Sequence, residues 1–376
     1  MLLHRTTRLL AAVGALALGA ALLGASPAVA QDAAEVDIEI VATGLNSPRH
    51  LTFSPGGTLY VAEAGTGGPS AEDGGNCHPL TAAASACLGA TGSIARITDH
   101  GVERVVTGLP SVANDTEAIG PFDIAFTGNH RFAITIGLGG SPAHRDAFGA
   151  EGKRLGTIVT GSLKPQHDGG DRTLAFDAVA HEDAHSVDDD VDSNPTGLAR
   201  SGNGYVYTDA GGNSLVSTRK GGDTITGFDP VITTQPGPVP VGTPVDAVPS
   251  DVVQGPDGAW YVSQLVGFPF EQGSSTIWRV EPGHAPEAYA TGLTNVTSLA
   301  FADDGTLYAV ELATGGLLNG PIGALREVTP GSDEHEVVAG GLDQPYGLAI
   351  RRGDAYLTLG AAAPVPGDGS VVRIGL

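Results

Sequence analysis

Arg49, His50, Asp123, Asp251 and Tyr346 stand one or two residues after a recurring start position in a repeated motif. Glu63, Asp209, Gln264 and Glu311 share a second recurring position further along it. Carboxylates, an imidazole and a guanidinium brought to one place can hold a cation or move protons. Within the set, Glu63, Asp209, Asp251 and Glu311 offer oxygens suited to Ca²⁺ or another divalent cation. The same groups, left solvated, would line a polar channel and do no chemistry. Which applies depends on the elements that carry them.

Those elements come from a motif present six times between Gly44 and the C-terminus. Each copy is a short apolar run, a Gly/Asp/Asn-rich turn and a second alternating apolar run. GLNSPRHLTFSPGGTLYVAEAG and NVTSLAFADDGTLYAVELATG are two of them. The copies align on Leu51, Ile124, Leu198, Val252, Leu299 and Leu348. Pro48, Pro121, Pro195, Pro249 and Pro345 lie three positions before the anchor, with Val296 in the fifth copy. A proline there costs no ladder hydrogen bond and fixes the approach of the chain. Repeats of this length built from short strands define an all-β, six-bladed propeller of four-stranded antiparallel blades.

A third strand follows each motif, as in GSIARI (92–97) and GSVVRI (369–374), and a fourth in most copies, as in VERVV (102–106) and HEVVAG (335–340). The sixth copy lacks a fourth strand, while an unused strand, VDIEIVATG (36–44), precedes the first. It is expected to complete the last blade, closing the ring and removing a sheet edge. The recurring polar positions then open on one face of the channel, together with insertions 65–92, 138–153, 266–273 and 314–323. Loops on a rigid scaffold are common carriers of function.

Composition agrees. The 376 residues include 56 Gly and 25 Pro but only 5% aromatics, a turn-rich chain suited to many short strands. The net charge of −23 repels nucleic acid and anionic lipid, which excludes nucleic acid as a partner. Residues 1–30 read as a secretory signal: Arg5 and Arg8, an apolar stretch from Leu9 to Gly24, then Ala28-Val29-Ala30. The remaining 31–376 form one domain, expected to be extracellular or in the cell envelope, without a membrane anchor, and monomeric. In an oxidising compartment Cys77 and Cys87 are expected to pair within the 65–92 insertion.

Other signals are weaker. Asp188, Asp190, Asp192 and Asn194 alternate like the opening of a calcium loop, but the loop's glycine and closing glutamate are absent, which favours a solvated acidic loop. His144, His181 and His185 are read as lone histidines, and no GxSxG or phosphate-binding loop is present.

The stretches GLNSPRHLTFSPGGTLYVAEAGTGG, DSNPTGLARSGNGYVYTDAGGNSLV and VPSDVVQGPDGAWYVSQLVGFPFEQGSSTIWRV resemble the ScyD/ScyE family of secreted bacterial proteins. The resemblance covers nearly all of 31–376 and implies a six-bladed propeller of the TolB-like/NHL type. A more distant resemblance links NPTGL and the DGxLYV turns to gluconolactonase-type propellers, but Thr196 replaces the asparagine those enzymes use there. The expected function is binding of a small molecule, glycan or extracellular protein at the loop-rich face. A metal-dependent hydrolase or lactonase at the same mouth, and a structural envelope component, remain open.

Overall fold

The computed structural model describes residues 37–79, 85–164, 172–188, 190–362 and 364–376. The expected signal segment, residues 1–30, and Val36 lie outside the described residues.

Six four-stranded antiparallel blades form a ring. Blade 1 runs outward through Pro48–Phe53, Leu59–Glu63, Ser85–Thr98 and Gly101–Ala113, and blade 2 through Pro121–Phe126, Arg131–Ile136, Thr157–Ser162 and Thr173–Asp177. Blade 3 comprises Pro195–Ser201, Gly204–Asp209, Ser214–Ser217 and Asp223–Gly227; blade 4 comprises Pro249–Gln254, Trp260–Gln264, Ser275–Val280 and Glu287–Leu293. Blade 5 is Val296–Phe301, Leu307–Glu311, Ile322–Glu327 and Glu336–Asp343. In blade 6, Leu348–Arg351, Asp354–Leu359 and Gly369–Gly375 are completed by Ile38–Leu45 from the other end of the chain. That last pairing runs from Ile38↔Ile374 to Leu45↔Gly369, so the expected closure holds.

Alternation along each strand sends one row of apolar side chains into the seams between blades. Tyr60, Ile94, Ile124, Phe132 and Ile134 fill the seam of blades 1 and 2, and Leu45, Leu51, Val61 and Val371 fill that of blades 6 and 1. Hydroxyl groups stitch the inner strands around the channel. Thr135 donates to the Thr196 carbonyl (2.6 Å), Ser250 to Val296 (2.6 Å), Thr297 to Tyr346 (2.7 Å) and Thr358 to Arg49 (2.8 Å). Gly197 and Gly347 allow direct backbone approach, since a Cβ would fall 2.6 Å from Asp251 Cα and 2.5 Å from the Arg49 carbonyl.

The insertions take definite form. Asn76–Pro79 pairs with Ser85–Thr98 and carries the Cys77–Cys87 disulfide between opposed positions. Helices Pro142–Ala147 and Gly149–Gly152 build the second insertion, and Asn76 Nδ2 donates to the Phe148 carbonyl (3.0 Å), bracing the two against each other. Helix Ala178–His185, between blades 2 and 3, and the ribbon of Val231–Ile232 with Pro244–Val245 fall outside the repeated motif. No helix among the described residues is long and apolar enough to cross a membrane.

Because the disulfide closes a hairpin rather than the ring, its reduction should loosen the insertion and leave the propeller folded. The chain-entropy model puts its contribution at about 2–3 kcal/mol. Non-reducing mass spectrometry should find no alkylatable thiol, and reduction should lower the unfolding midpoint without splitting the transition. Loss of the native far-UV spectrum on reduction would count against this.

Candidate functional site

The structure divides the sequence-derived set in two. Residues just after the recurring proline reach the channel, while those at the end of the second strand turn away from it.

Asp123 and Asp251 begin the inner strands of blades 2 and 4, and each carboxylate spans two blades. Asp123 accepts from its neighbour Ile124 N (2.6 Å) and from Leu198 N of blade 3 (2.7 Å). Asp251 accepts from Val252 N (2.7 Å), Leu299 N of blade 5 (2.8 Å) and Ser298 Oγ (3.0 Å). Ser298 Oγ in turn accepts from Leu348 N of blade 6 (3.1 Å). His50, from blade 1, places Nδ1 3.7 Å from Asp251 and 3.3 Å from Ser298 Oγ. One donor atom from each of His50, Asp123 and Asp251 lies within 4.8 Å of the others, and this is the one such group among the described residues. His50 is only 3% exposed, and its Nε2 has no partner among protein atoms. Burial, with the nearby charge of Asp251, raises the pKa of Asp123 to about 7.

Arg49 and Tyr346 cap this group. The buried Arg49 guanidinium lies 4.8 Å from the Tyr346 ring and 5.3 Å from Phe122, and donates to the Ala361 (2.8 Å) and Ala118 carbonyls. His50 meets the edge of Tyr346 at 5.4 Å. The Arg49 cation thus lies against two aromatic rings, with its charge held inside the fold.

Glu63, Asp209, Gln264 and Glu311 hold their own blades together. Opposite Pro48, Glu63 accepts from Asn46 N (2.8 Å), Ser93 Oγ and Arg104 (2.7 Å). Asp209 accepts from Ser193 Oγ and Asn194 N, both 2.6 Å. Glu311 accepts from Thr294 N (2.8 Å) and Arg326 Nε (2.7 Å), and Gln264 from Thr276 N (3.3 Å). Their side chains fold back on the turn that feeds the inner strand. The four acids Glu63, Asp209, Asp251 and Glu311 are therefore not gathered as one set; only Asp251 stands in the channel group. A ring nitrogen beside two carboxylates also changes the donor chemistry, from one suited to Ca²⁺ toward Zn²⁺ or Mn²⁺.

A second acidic region lies over blade 3. Asp177 caps the helix that follows it, accepting from Ala180 N, and the helix carries Glu182 inward to the 209–213 turn. Glu182 is 5% exposed, and burial, then Asp209, Asp192 and Asp188, raise its pKa to about 8. The folded protein therefore keeps a proton that the unfolded chain, with an ordinary glutamate pKa of about 4.3, has released. Stability in metal-free buffer should fall as pH rises from about 4.5 to 8, and Glu182→Gln should flatten that slope in chemical denaturation. An unchanged slope would remove Glu182 as its source.

No protein-family model matches the chain, and no curated protein resembling it in sequence is found. Solved structures do match. A glucose dehydrogenase shares 14% identity over 90% of this chain and 99% of its own, with a TM-score of 0.52. A PQQ-bound aldose sugar dehydrogenase from Streptomyces coelicolor shares 14% over 91% and 99%, TM-score 0.46. Virginiamycin B lyase from Staphylococcus aureus shares 11% over 91% and 100%, TM-score 0.43. At these identities the likeness is one of fold, the six-bladed β-propeller.

Proposed function

We propose that this propeller is an extracytoplasmic binding protein of the ScyD/ScyE kind, with a divalent transition-metal ion held in its channel. Its loop-rich face carries the contacts with a small molecule, glycan or protein partner. The observation behind this reading is the His50–Asp123–Asp251 group: three donors from three blades, buried, with His50 Nε2 unpartnered. The two carboxylates keep lone pairs after accepting their backbone N–H groups, so both can also turn an oxygen to an ion. The disulfide is of a kind that persists in oxidising compartments. Burial of the group beside Arg49, Phe122 and Tyr346 favours a binding role over turnover at that point.

Metal analysis of the purified protein tests this. About one Zn²⁺ or Mn²⁺ per chain is expected, lost in His50→Gln, which removes the imidazole and leaves both carboxylate stitches in place. Absence of bound metal, with no shift in melting temperature on adding either ion, would overturn the metal part of the reading.

A further inference from the structure

We infer that residues 186–188 and 190–194, the helix Ala178–His185 and the turn 209–213 together form a calcium site, with Glu182, Asp188 and Asp192 as its carboxylate ligands. In sequence the acidic loop lacks the glutamate that ends a calcium loop. In the fold that residue comes from another element: Asp192 N donates to Glu182 Oε1 (3.2 Å), bringing the helix carboxylate onto the loop. The other oxygen, Glu182 Oε2, is buried with no partner among protein atoms. An ionised or neutral carboxyl left so is costly unless something meets it.

Gly211 and Gly212 form the floor. A Cβ at Gly212 would lie 2.7 Å from Glu182 Oε2, and one at Gly211 would lie 1.6 Å from the Asp192 carbonyl oxygen, so the turn packs directly against the Glu182 carboxyl and the Asp192 backbone. Asn213 Nδ2 holds Asp188 Oδ2 (3.2 Å), and Asp209 fixes the turn by accepting from Gly212 N (3.1 Å). The charges that bear most on Glu182 are those of Asp209, Asp192 and Asp188.

Oxygen donors and several negative charges on an exposed loop suit Ca²⁺, whose coordination is large and irregular, better than Mg²⁺, which demands near-ideal octahedral geometry. No three of these carboxylates lie within 4.8 Å of one another, so the ion must draw the exposed Asp188 and Asp192 toward the fixed Glu182. That movement places the affinity with weak extracellular sites, at a Kd of ~0.1–1 mM.

Calorimetric titration and thermal melts of the full chain with Ca²⁺ and with Mg²⁺ test the site. At 5–10 mM, Ca²⁺ should raise the melting temperature by about 3–6 °C and Mg²⁺ by less than half of that. Glu182→Gln should weaken Ca²⁺ binding at least tenfold while His50→Gln binds as the parent does, which separates this site from the channel. If the Glu182 variant does not fold, Asp188→Asn on the exposed loop should give the same loss. No heat or shift with Ca²⁺, an equal response to Mg²⁺, or undiminished binding in the variant that folds would each overturn the proposal.

Discussion

Deleting residues 37–45 should open the ring and leave a protein that unfolds or self-associates. Ile38–Leu45 is the outer strand of blade 6, and without it Gly369–Gly375 becomes an unpaired edge. Leu45 is fully buried and Ala42 nearly so, packed with Leu51, Val61 and Val371. Burial of Leu45 alone is worth about 1.5–3 kcal/mol, and the ladder hydrogen bonds add roughly 0.5–1.5 kcal/mol each. The sum is comparable with the 5–15 kcal/mol that stabilises a typical domain, on the order of its whole margin. Size-exclusion chromatography and denaturant unfolding check this; a monomeric truncated protein with an unchanged midpoint would contradict it.

Asp251→Ala should be the most damaging single substitution in the channel. It strips an acceptor from Val252 N, Leu299 N and Ser298 Oγ at once, in a place that water reaches poorly. Each buried donor left without a partner costs about 1–3 kcal/mol, so a loss of roughly 3–6 kcal/mol is expected. Asp251→Asn keeps one acceptor but turns an amide toward a peptide N–H, and should fall between the two. Urea titration measures both; a loss below about 1 kcal/mol for Asp251→Ala would mean the blades do not depend on this stitch. The prediction concerns stability, and holds whether or not the channel carries an ion.

Much of this was legible before any coordinates. The recurring proline located the start of each inner strand, and the unused VDIEIVATG segment found its place because a propeller leaves one strand position to fill. His50, Asp123 and Asp251 each stand two residues after the proline, and the structure brings them together because the inner strand of each blade starts there. The second recurring position was misleading. Glu63, Asp209 and Glu311 share a register with Asp251's neighbours, but register fixes a backbone position and not a rotamer. Long acidic side chains fold back onto whichever N–H groups lie unpaired nearby, here those of Asn46, Asn194 and Thr294. Nothing in the sequence around Arg49 tells that its guanidinium lies against the Phe122 and Tyr346 rings, which come from two other blades. Glu182 escaped notice because no local pattern joins a helix residue to an acidic loop ten positions on. Its one trace in the sequence was the Gly211–Gly212 pair, whose need for space becomes clear only when a carboxyl is seen to fill it.

The seam between the first and last strands has a consequence for assembly. Ile38 and Ile374 are hydrogen-bonded neighbours drawn from opposite ends of the described chain. Every other blade is made from residues close in sequence and can begin to form as soon as its own hairpins exist. The sixth blade cannot, because its outer strand waits on a partner separated from it by the five other blades. Contacts so distant are slow to form, since loop closure must be met before they contribute anything. The folding transition state is therefore expected to hold several blades already built and this one missing. Substitutions within Ile38–Leu45 would then speed unfolding while leaving the folding rate almost unchanged.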